Sequence, residues 1–202
     1  MKKQLFIIVL LLAMGQFTFA QIPEKAQEIS PLLYGEKIPE GVLITPEGKK
    51  NQVSDILSEK PTILLVYRGG WCPYCNTHLA EIQRAESQIL NLGYQLAAIS
   101  PDSPENLQST DNKHQLNYSL YADPNGDFLK SLGIVFRAPE KYSAMLSKRS
   151  NGKNKGFLPV PSVFVVDTSG TILFEYINPD YSTRLSAGLL LSVLNELENS
   201  NR

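Results

Sequence analysis

The only two cysteines of the 202-residue chain lie in one short stretch, YRGGWCPYC, at residues 67–75. Two residues separate Cys72 from Cys75, a spacing found in structural disulfides, in zinc sites and in reactive dithiols. A disulfide between them would close a very short loop and would remove little entropy from the unfolded chain. The spacing therefore argues against a structural staple and leaves a metal site or a reactive pair.

A zinc site needs more ligands than this stretch supplies. Structural zinc is usually held by four side chains, and Cys72, Cys75 and His78 give at most three in sequence. His114 would be a fourth ligand only if folding brought it there. We therefore predict no metal and no other cofactor, and we interpret His78 as a partly exposed residue on a helix surface.

The flanking residues predict a strand that leads into a helix. The run TILLVY at 62–67 is apolar and rich in β-branched residues, which suits a strand buried on both faces. Pro73 is well placed as the first residue of a helix. Apolar residues then share one helix face with Cys75 through three- and four-residue spacing: Leu79, Ile82, Ala85 and Ile89.

This register makes the two cysteines unequal. Cys72 falls at the N-cap, beside unpaired backbone N–H groups and the positive end of the helix dipole, and both favour the thiolate. We predict that Cys72 is the exposed nucleophile and that Cys75 is the inward-facing thiol that resolves a mixed disulfide. Three neighbours are expected to support them: Pro73, Tyr74 and Trp71, the last as an aromatic shield. Arg68 is either a charge that stabilises the thiolate or an ordinary surface charge.

The rest of the chain alternates strands with helices, which predicts an α/β fold with a partly parallel sheet covered on both faces. The predicted strands are a hairpin over 42–53 and the segments 94–100, 119–122, 162–167 and 171–177; the predicted helices lie near 104–114, 127–132 and 183–198. Pro161 directly precedes one strand, through either a cis bond or an ordinary trans bond. The polar segment 137–158, with a short helix at 139–148, is interpreted as an insertion near the site or a flexible cover.

The N-terminus has the three-part pattern of a secretory signal peptide. Two lysines precede an apolar run from Leu5 to Met14, and small or polar residues continue to Ala20. An uncleaved anchor is the alternative, although the run is short for a membrane span. We predict a signal peptide at 1–20, an extended lead-in at 21–36 and one domain at 37–202. The mature protein would be periplasmic or secreted, with no stable membrane anchor and in an oxidising compartment.

The overall charge excludes one large class of partner. The chain has 19 basic and 20 acidic residues and a formal net charge of −1. A nucleic-acid-binding surface would need clustered basic residues, so we expect no nucleic-acid partner.

Several stretches together resemble the thioredoxin-like superfamily, and more narrowly its bacterial peroxiredoxin-like (AhpC/TSA-type) group. They span about 37–190 and read YRGGWCPYCN, AAISPDSPEN, YADPNGDFLKSLGIVF, LPVPSVFVVDTSGTI and INPDYSTR. The resemblance implies a thioredoxin-like fold, with a central mixed sheet flanked by helices and an N-terminal β-hairpin extension. It also implies that Cys72 is the nucleophile, that Cys75 is the resolving thiol and that Pro161 is cis and lies beside their disulfide.

The chain departs from both branches of that superfamily. Thioredoxins have a buried acid where this chain has Val66. Peroxiredoxins use P-x-x-x-T-x-x-C; with Cys75 as its last residue, Arg68 replaces the proline and Cys72 the threonine. They also use a distant arginine near the strand where this chain has Pro161. The resemblance thus implies the fold of the wider family with the chemistry of its disulfide-exchange branch.

We therefore expect an exported thiol–disulfide oxidoreductase that acts on protein or low-molecular-weight thiols and disulfides, together with an upstream electron donor or acceptor. One alternative is a peroxiredoxin-like thiol peroxidase with antioxidant activity, in which Cys75 or Cys72 is the peroxidatic cysteine. The other is a non-catalytic module that binds a metal or a partner.

Overall fold

The computed structural model describes residues 22–114 and 116–200, without the side chains of 112–114. The predicted signal peptide and the His114 side chain lie outside this part. The described strands are β1 Val42–Ile44, β2 Lys50–Gln52, β3 Thr62–Val66, β4 Gln95–Ser100, β5 Ser119–Ala122, β6 Val135–Arg137, β7 Phe157–Pro159, β8 Ser162–Val166 and β9 Ile172–Ile177. The helices are α1 Val53–Glu59, α2 Pro73–Asn91, α3 Pro104–His114, α4 Asp127–Ser131, α5 Ser143–Arg149 and α6 Ala187–Ser200.

Seven of these strands form one mixed sheet in the order β2-β1-β5-β4-β3-β8-β9. The central strands β3, β4 and β5 are parallel, and the strands outside them pair antiparallel. The predicted α/β fold with a central mixed sheet is confirmed, and so is the N-terminal hairpin, in which β1 pairs with β2. Among the described residues, no helix combines the length and the apolar character needed to cross a bilayer.

Strand β3 lies at the middle of the molecule, and all five of its residues are buried. Because side chains alternate along a strand, Ile63 and Leu65 face one apolar core, which they share with residues of α2 and α6. Leu64 and Val66 face the other core, which they share with residues of α1 and α4. Burial on both faces fixes the register of β3 and therefore the position of the loop that follows it.

The segment 137–158 is more ordered than a flexible cover. Its two ends belong to β6 and β7, which pair antiparallel as a separate small sheet. The single predicted helix at 139–148 is instead a 3-10 turn at Glu140–Tyr142 followed by α5, which is anchored by the buried Leu146. The sequence did not reveal the small sheet because each of its strands is only three residues long. In addition, β7 ends in a proline, a residue found mainly in the edge strands of a sheet.

The C-terminal helix begins later than predicted. The Asp180 carboxylate accepts hydrogen bonds from the Ser182 backbone N–H at 3.0 Å and from the Thr183 hydroxyl at 3.0 Å. These bonds stabilise a turn that includes Thr183, the first residue of the predicted helix, and the observed helix starts at Ala187. The turn leaves Tyr181 and Arg184 in a loop that reaches the cysteine pair.

Candidate active site

Cys72 is the N-cap of α2, and Pro73 is the first helical residue, as predicted. The loop between β3 and α2 is tightly packed. Gly69 has a φ of 130°, in a region that favours glycine, and a Cβ at Gly70 would overlap the Thr110 hydroxyl. The two glycines therefore allow the chain to turn sharply and still bring Cys72 to the helix end.

Both cysteines are free thiols and only 1% exposed. The inward position of Cys75 agrees with the helix register, but the prediction that Cys72 is exposed is wrong. The reason is tertiary, because aromatic residues from distant segments contact the residues around it. The Tyr181 ring lies edge-on to Tyr74 at 5.6 Å, and Tyr142 lies 5.5 Å from Trp71.

The environments of the two sulfurs favour opposite protonation states. The Cys75 thiol donates a hydrogen bond to the Cys72 sulfur, which lowers the pKa of Cys72 to about 6 against the opposing effect of burial. The nearby charges of Arg68 and Arg184 lower the pKa of Cys72 further. Burial raises the pKa of Cys75 well above its ordinary value, and its hydrogen bond to Cys72 raises it more. Near neutral pH, Cys72 is thus the thiolate and Cys75 the thiol.

A second arginine lies on the inner side of the pair. The Arg184 Nη2 atom is 3.6 Å from the Cys75 sulfur. Leu185, the residue after Arg184, is held in place by His78, whose Nε2 atom lies 2.9 Å from the Leu185 carbonyl oxygen. His78 is only 5% exposed, so its predicted position on the helix surface is wrong: the segment before α6 covers that face of α2. Burial lowers the pKa of His78 to about 4, which keeps the ring neutral near pH 7.

Arg68 lies on the outer side of the pair and is buried, with 4% exposure. Its guanidinium carbon lies 5.0 Å from the Trp71 ring, 5.4 Å from the Tyr142 ring and 4.4 Å from the Tyr181 ring. The sequence left two interpretations of Arg68 open, and its burial excludes the one in which it is an ordinary surface charge. Trp71 is half-buried among these rings, and Tyr74 is 48% exposed.

An ion pair fixes the loop before Cys72. Asp102 is 1% exposed, and its Oδ2 accepts from the Gly70 backbone N–H at 2.8 Å and from Arg149 Nη2 at 2.7 Å. Arg149 lies in the polar segment 137–158 and reaches this buried acid from the end of α5. The segment 137–158 therefore contributes Tyr142 and Arg149 to the surroundings of the cysteines.

Pro161 lies at the same end of the sheet. It precedes β8, whose Ser162 pairs with Val66 at the end of β3. The described residues contain no cis peptide bond, so the cis Val160–Pro161 bond implied by the resemblance is wrong here. Two backbone hydrogen bonds hold this stretch extended, from Val160 N to the Ile134 oxygen at 2.8 Å and from Asn178 N to the Pro161 oxygen at 3.4 Å.

The motif's possible third metal ligand is occupied elsewhere, since His78 is hydrogen-bonded to Leu185. Within residues 22–114 and 116–200, no three His, Cys, Asp or Glu side chains are grouped as metal ligands. The geometry of the described residues is therefore that of a dithiol flanked by two arginines.

Comparison with known proteins places the chain in a family. The model of the AhpC/TSA family matches residues 34–174, more than half of the chain. The chain belongs to the AhpC/TSA family. It is 27% identical over 106 residues to a putative peroxiredoxin, bcp, of Haemophilus influenzae, which covers 52% of this chain and 68% of the relative. It is also 19% identical over 170 residues to the thiol-disulfide oxidoreductase ResA of Bacillus cereus, which covers 84% of each.

Solved structures agree with the family's fold. Reduced Prx3 of Vibrio vulnificus in complex with H2O2 matches with a TM-score of 0.70 and 16% identity, over 82% of this chain and 98% of that one. At this identity the match establishes the fold alone. The relatives named above include both a peroxiredoxin and a thiol-disulfide oxidoreductase, so the family assignment supports a thiol oxidoreductase without separating the two activities.

Five residues near the dithiol were not found from the sequence: Asp102, Tyr142, Arg149, Tyr181 and Arg184. All come from segments far from the motif along the chain. The stretches SPDSPEN and INPDYSTR, which carry part of the family resemblance, contain three of them. Tyr142 and Arg149 lie in the polar segment 137–158, where nothing in the pattern distinguished them from solvated residues.

Proposed function

We propose that this AhpC/TSA-family protein is an exported thiol–disulfide oxidoreductase in which Cys72 attacks and Cys75 resolves. The main observation in support is that these two thiols, both only 1% exposed, have pKa values shifted in opposite directions. The pKa of Cys72 is lowered to about 6, and that of Cys75 is raised well above its ordinary value. Because the thiolate is the attacking form, only Cys72 is ready to react near neutral pH.

The proposed reaction has two exchange steps. The Cys72 thiolate attacks a substrate disulfide, forms a mixed disulfide and releases one substrate thiolate. Cys72 then carries no negative charge, so one of the influences that raise the pKa of Cys75 is removed. Arg184, 3.6 Å from the Cys75 sulfur, favours the thiolate as the proton leaves. Cys75 then attacks Cys72, which forms the Cys72–Cys75 disulfide and releases the second substrate thiolate.

In sum, two electrons pass from the dithiol to the substrate, and an upstream thiol must supply two electrons to restore it. In the opposite direction, the same steps would transfer the disulfide to a partner. The proposed partners are therefore protein or low-molecular-weight thiols and disulfides.

Mixed-disulfide trapping tests the two roles. Cys75→Ser should accumulate covalent complexes through Cys72, because the resolving thiol is absent. Cys72→Ser should accumulate none, and the double Ser variant gives the background. Equal trapping by the two single variants, or trapping by neither, would show that the assigned roles are wrong.

Export rests on the N-terminal pattern alone and is tested separately. The protein recovered from its native host should lie outside the cytoplasm and begin at Gln21, as measured by fractionation and mass spectrometry. A full-length chain that begins at Met1 and is confined to the cytoplasm would contradict export without affecting the dithiol chemistry.

The contact between Arg184 and Cys75 also favours a second candidate, a thiol peroxidase. Cys75 stands at the position of the cysteine in the peroxiredoxin motif, and Arg184 lies beside its sulfur. Hydrogen peroxide would oxidise the Cys75 thiolate to a sulfenic acid with release of hydroxide, and Cys72 would condense with it to form the disulfide and water. Peroxide consumption that survives Cys72→Ser and is lost in Cys75→Ser would favour this candidate; the reverse would place the peroxidatic role on Cys72.

A further inference from the structure

A cleft of about 630 Å³ opens on the outer side of the dithiol. We name it the arginine cleft; its inner wall is formed by Arg68, Tyr142, Val160, Pro161 and Tyr181. Its volume falls in the range of about 300–1,000 Å³ that is common for small-molecule sites. The cleft is therefore large enough for a small substrate, and Arg68 joins its lining to the loop that carries the cysteines.

Arg68 is the one charged group of that inner wall, and no carboxylate of the described residues pairs with it. Its Nε atom is buried and has no hydrogen-bond partner. Within the described part of the chain, no carboxylate forms an ion pair with it, and its recorded contacts are the three aromatic rings. Arg149 is different, because it holds the buried carboxylate of Asp102. The anion whose charge acts on Arg68 is the Cys72 thiolate, and that charge is lost when the mixed disulfide forms. Since a buried cation without an anion is costly, Arg68 is suited to a substrate anion held in the cleft during that step.

The charges of the outer wall of the arginine cleft are mostly paired with one another or with a neighbour. The wall is lined by Lys25, Arg137 and Lys141 and by Glu24 and Glu140, and Lys25 pairs with Glu28 at 3.6 Å. Arg137 is matched by Glu24 at 2.7 Å. The Lys141 Nζ atom lies 5.3 Å from the Tyr142 ring, which Arg68 also contacts.

Arg68 also connects the cleft to the sulfurs. Its side chain lines the cleft, while its backbone N–H and its charge are among the influences that lower the pKa of Cys75 and of Cys72, respectively. An anionic group held by the guanidinium would thus be bound by a residue whose charge already acts on the attacking thiolate.

We propose that Arg68 binds the carboxylate of a small disulfide substrate and so directs the substrate's sulfur to Cys72. This inference rests on the proposed disulfide exchange and specifies its substrate class, a low-molecular-weight disulfide with a carboxylate a few bonds from sulfur. The planar guanidinium can donate two parallel hydrogen bonds to a carboxylate. The Cys72 thiolate then breaks the substrate's S–S bond, one carboxylate-bearing thiolate leaves, and Cys75 releases the second as the protein disulfide forms.

The test compares dithiodipropionate, a dianionic disulfide, with its neutral diamide of the same skeleton. The rate at which each disulfide oxidises the reduced wild-type protein is measured above the pKa of Cys72. The ratio of the dianion rate to the diamide rate is then divided by the same ratio measured with free dithiothreitol, which corrects for the intrinsic reactivity of the two disulfides. The corrected ratio should favour the dianion by about tenfold, as expected for a charge-assisted, two-pronged contact. Arg68→Gln should reduce the corrected ratio to about one, while Arg84→Gln, at an exposed arginine of α2, should keep the wild-type value.

Arg68→Lys is the second variant, because it keeps the positive charge near Cys72 but lacks the planar fork. It should lose most of the preference while its pKa for Cys72 stays close to that of the wild type. A wild-type ratio near one, a faster reaction with the cationic disulfide cystamine, or an unchanged preference in folded Arg68→Gln would overturn the proposal. If no disulfide oxidised the pair, the proposed exchange activity itself would fail, which is a different result.

Discussion

The two sides of the cysteine pair surround their sulfur atoms with different groups. On the outer side, Cys72 lies near Arg68 and its three aromatic rings, next to a cleft. On the inner side, Cys75 lies in the core, with Arg184 beside its sulfur and the neutral His78 behind it. Both sulfurs are equally hidden, with 1% exposure, yet the pKa of Cys72 falls and that of Cys75 rises.

This contrast shows that burial alone does not set the reactivity of these thiols. Burial raises the pKa of both, as it does for any acid. For Cys75, burial is the largest influence, and the hydrogen bond that it donates to Cys72 raises its pKa further. For Cys72, accepting that hydrogen bond outweighs burial, and the charges of Arg68 and Arg184 lower its pKa further. The contrast can be tested with four measurements, which follow from the largest expected effect to the smallest.

The largest effect should appear in alkylation of the reduced protein by iodoacetamide at neutral pH. Cys75→Ala should still react readily through Cys72. Cys72→Ser should react slower by on the order of a hundredfold, because the remaining thiol is protonated and buried. Mass spectrometry gives the rate at each sulfur. Similar rates in the two variants would mean that the two sulfurs are equally reactive, which would contradict the contrast between Cys72 and Cys75.

The inner side should control stability in acid through His78. An unfolded histidine has a pKa of about 6.5, whereas burial lowers the pKa of His78 to about 4 in the folded protein. Between these values the unfolded state binds more protons than the folded state. The contribution of His78 to the free energy of unfolding is therefore fully present above about pH 6.5 and is lost as the pH drops toward 4. Relative to His78→Gln, which stays neutral, the wild type should lose about 3 kcal/mol over this window.

Urea unfolding across that pH range gives the measurement. Asp123 acts in the opposite direction, because burial raises its pKa to about 6 and its contribution is lost as the pH rises. Its effect is common to both proteins and cancels in the difference between them. A constant difference between wild type and variant across the window would mean that His78 does not titrate as described.

The hydrogen bond between the sulfurs should have a smaller but direct effect on acidity. Cys75→Ala removes the donor and should raise the pKa of Cys72 by on the order of one unit. Cys75→Ser keeps a hydroxyl donor and should raise it less, which makes the two variants a matched pair. The ultraviolet absorbance of the thiolate, followed against pH, gives both values. Equal pKa values in the two variants would mean that the helix end and the arginines, rather than Cys75, determine the acidity of Cys72.

The smallest effect concerns access to Cys72 from the cleft. Tyr181 contacts Tyr74 and Arg68, which lie on either side of Cys72 in sequence. Tyr181→Ala should raise the rate of Cys72 alkylation by roughly threefold, because it opens the cover, while Tyr34→Ala, at a tyrosine that is 70% exposed, should not change it. A slower rate in Tyr181→Ala would indicate that the ring supports the thiolate more than it covers it.

The sequence predicted those parts of the fold that depend on local pattern. The apolar run of β3, the proline at the start of α2 and the hairpin of β1 and β2 each rest on neighbouring residues, and each was found. The same holds for the inward face of Cys75, which follows from helix periodicity. The alternation of strands and helices along the chain predicted a partly parallel sheet, and the seven-stranded mixed sheet confirms it.

Errors arose where distant segments meet. Cys72 is buried by rings that no local rule places over it, and His78 is covered because α6 docks on α2. Asp102 and Arg149 are separated by 47 positions, so nothing in either neighbourhood reveals their ion pair. The start of α6 was misplaced because side-chain bonds from Asp180 compete with helical ones.

The pairing of β6 with β7 has a consequence for how this protein can vary. The cross-strand partners Arg137 and Phe157 close the segment between them into a loop with its own stem. Since the entropy of closing a loop grows only slowly with its length, residues can be added or removed inside the stem at little cost to the seven-stranded sheet. Variation near Tyr142 would therefore change the ring that lies against Arg68, whereas Arg149 in the same loop must stay in place to hold Asp102 and the turn before Cys72.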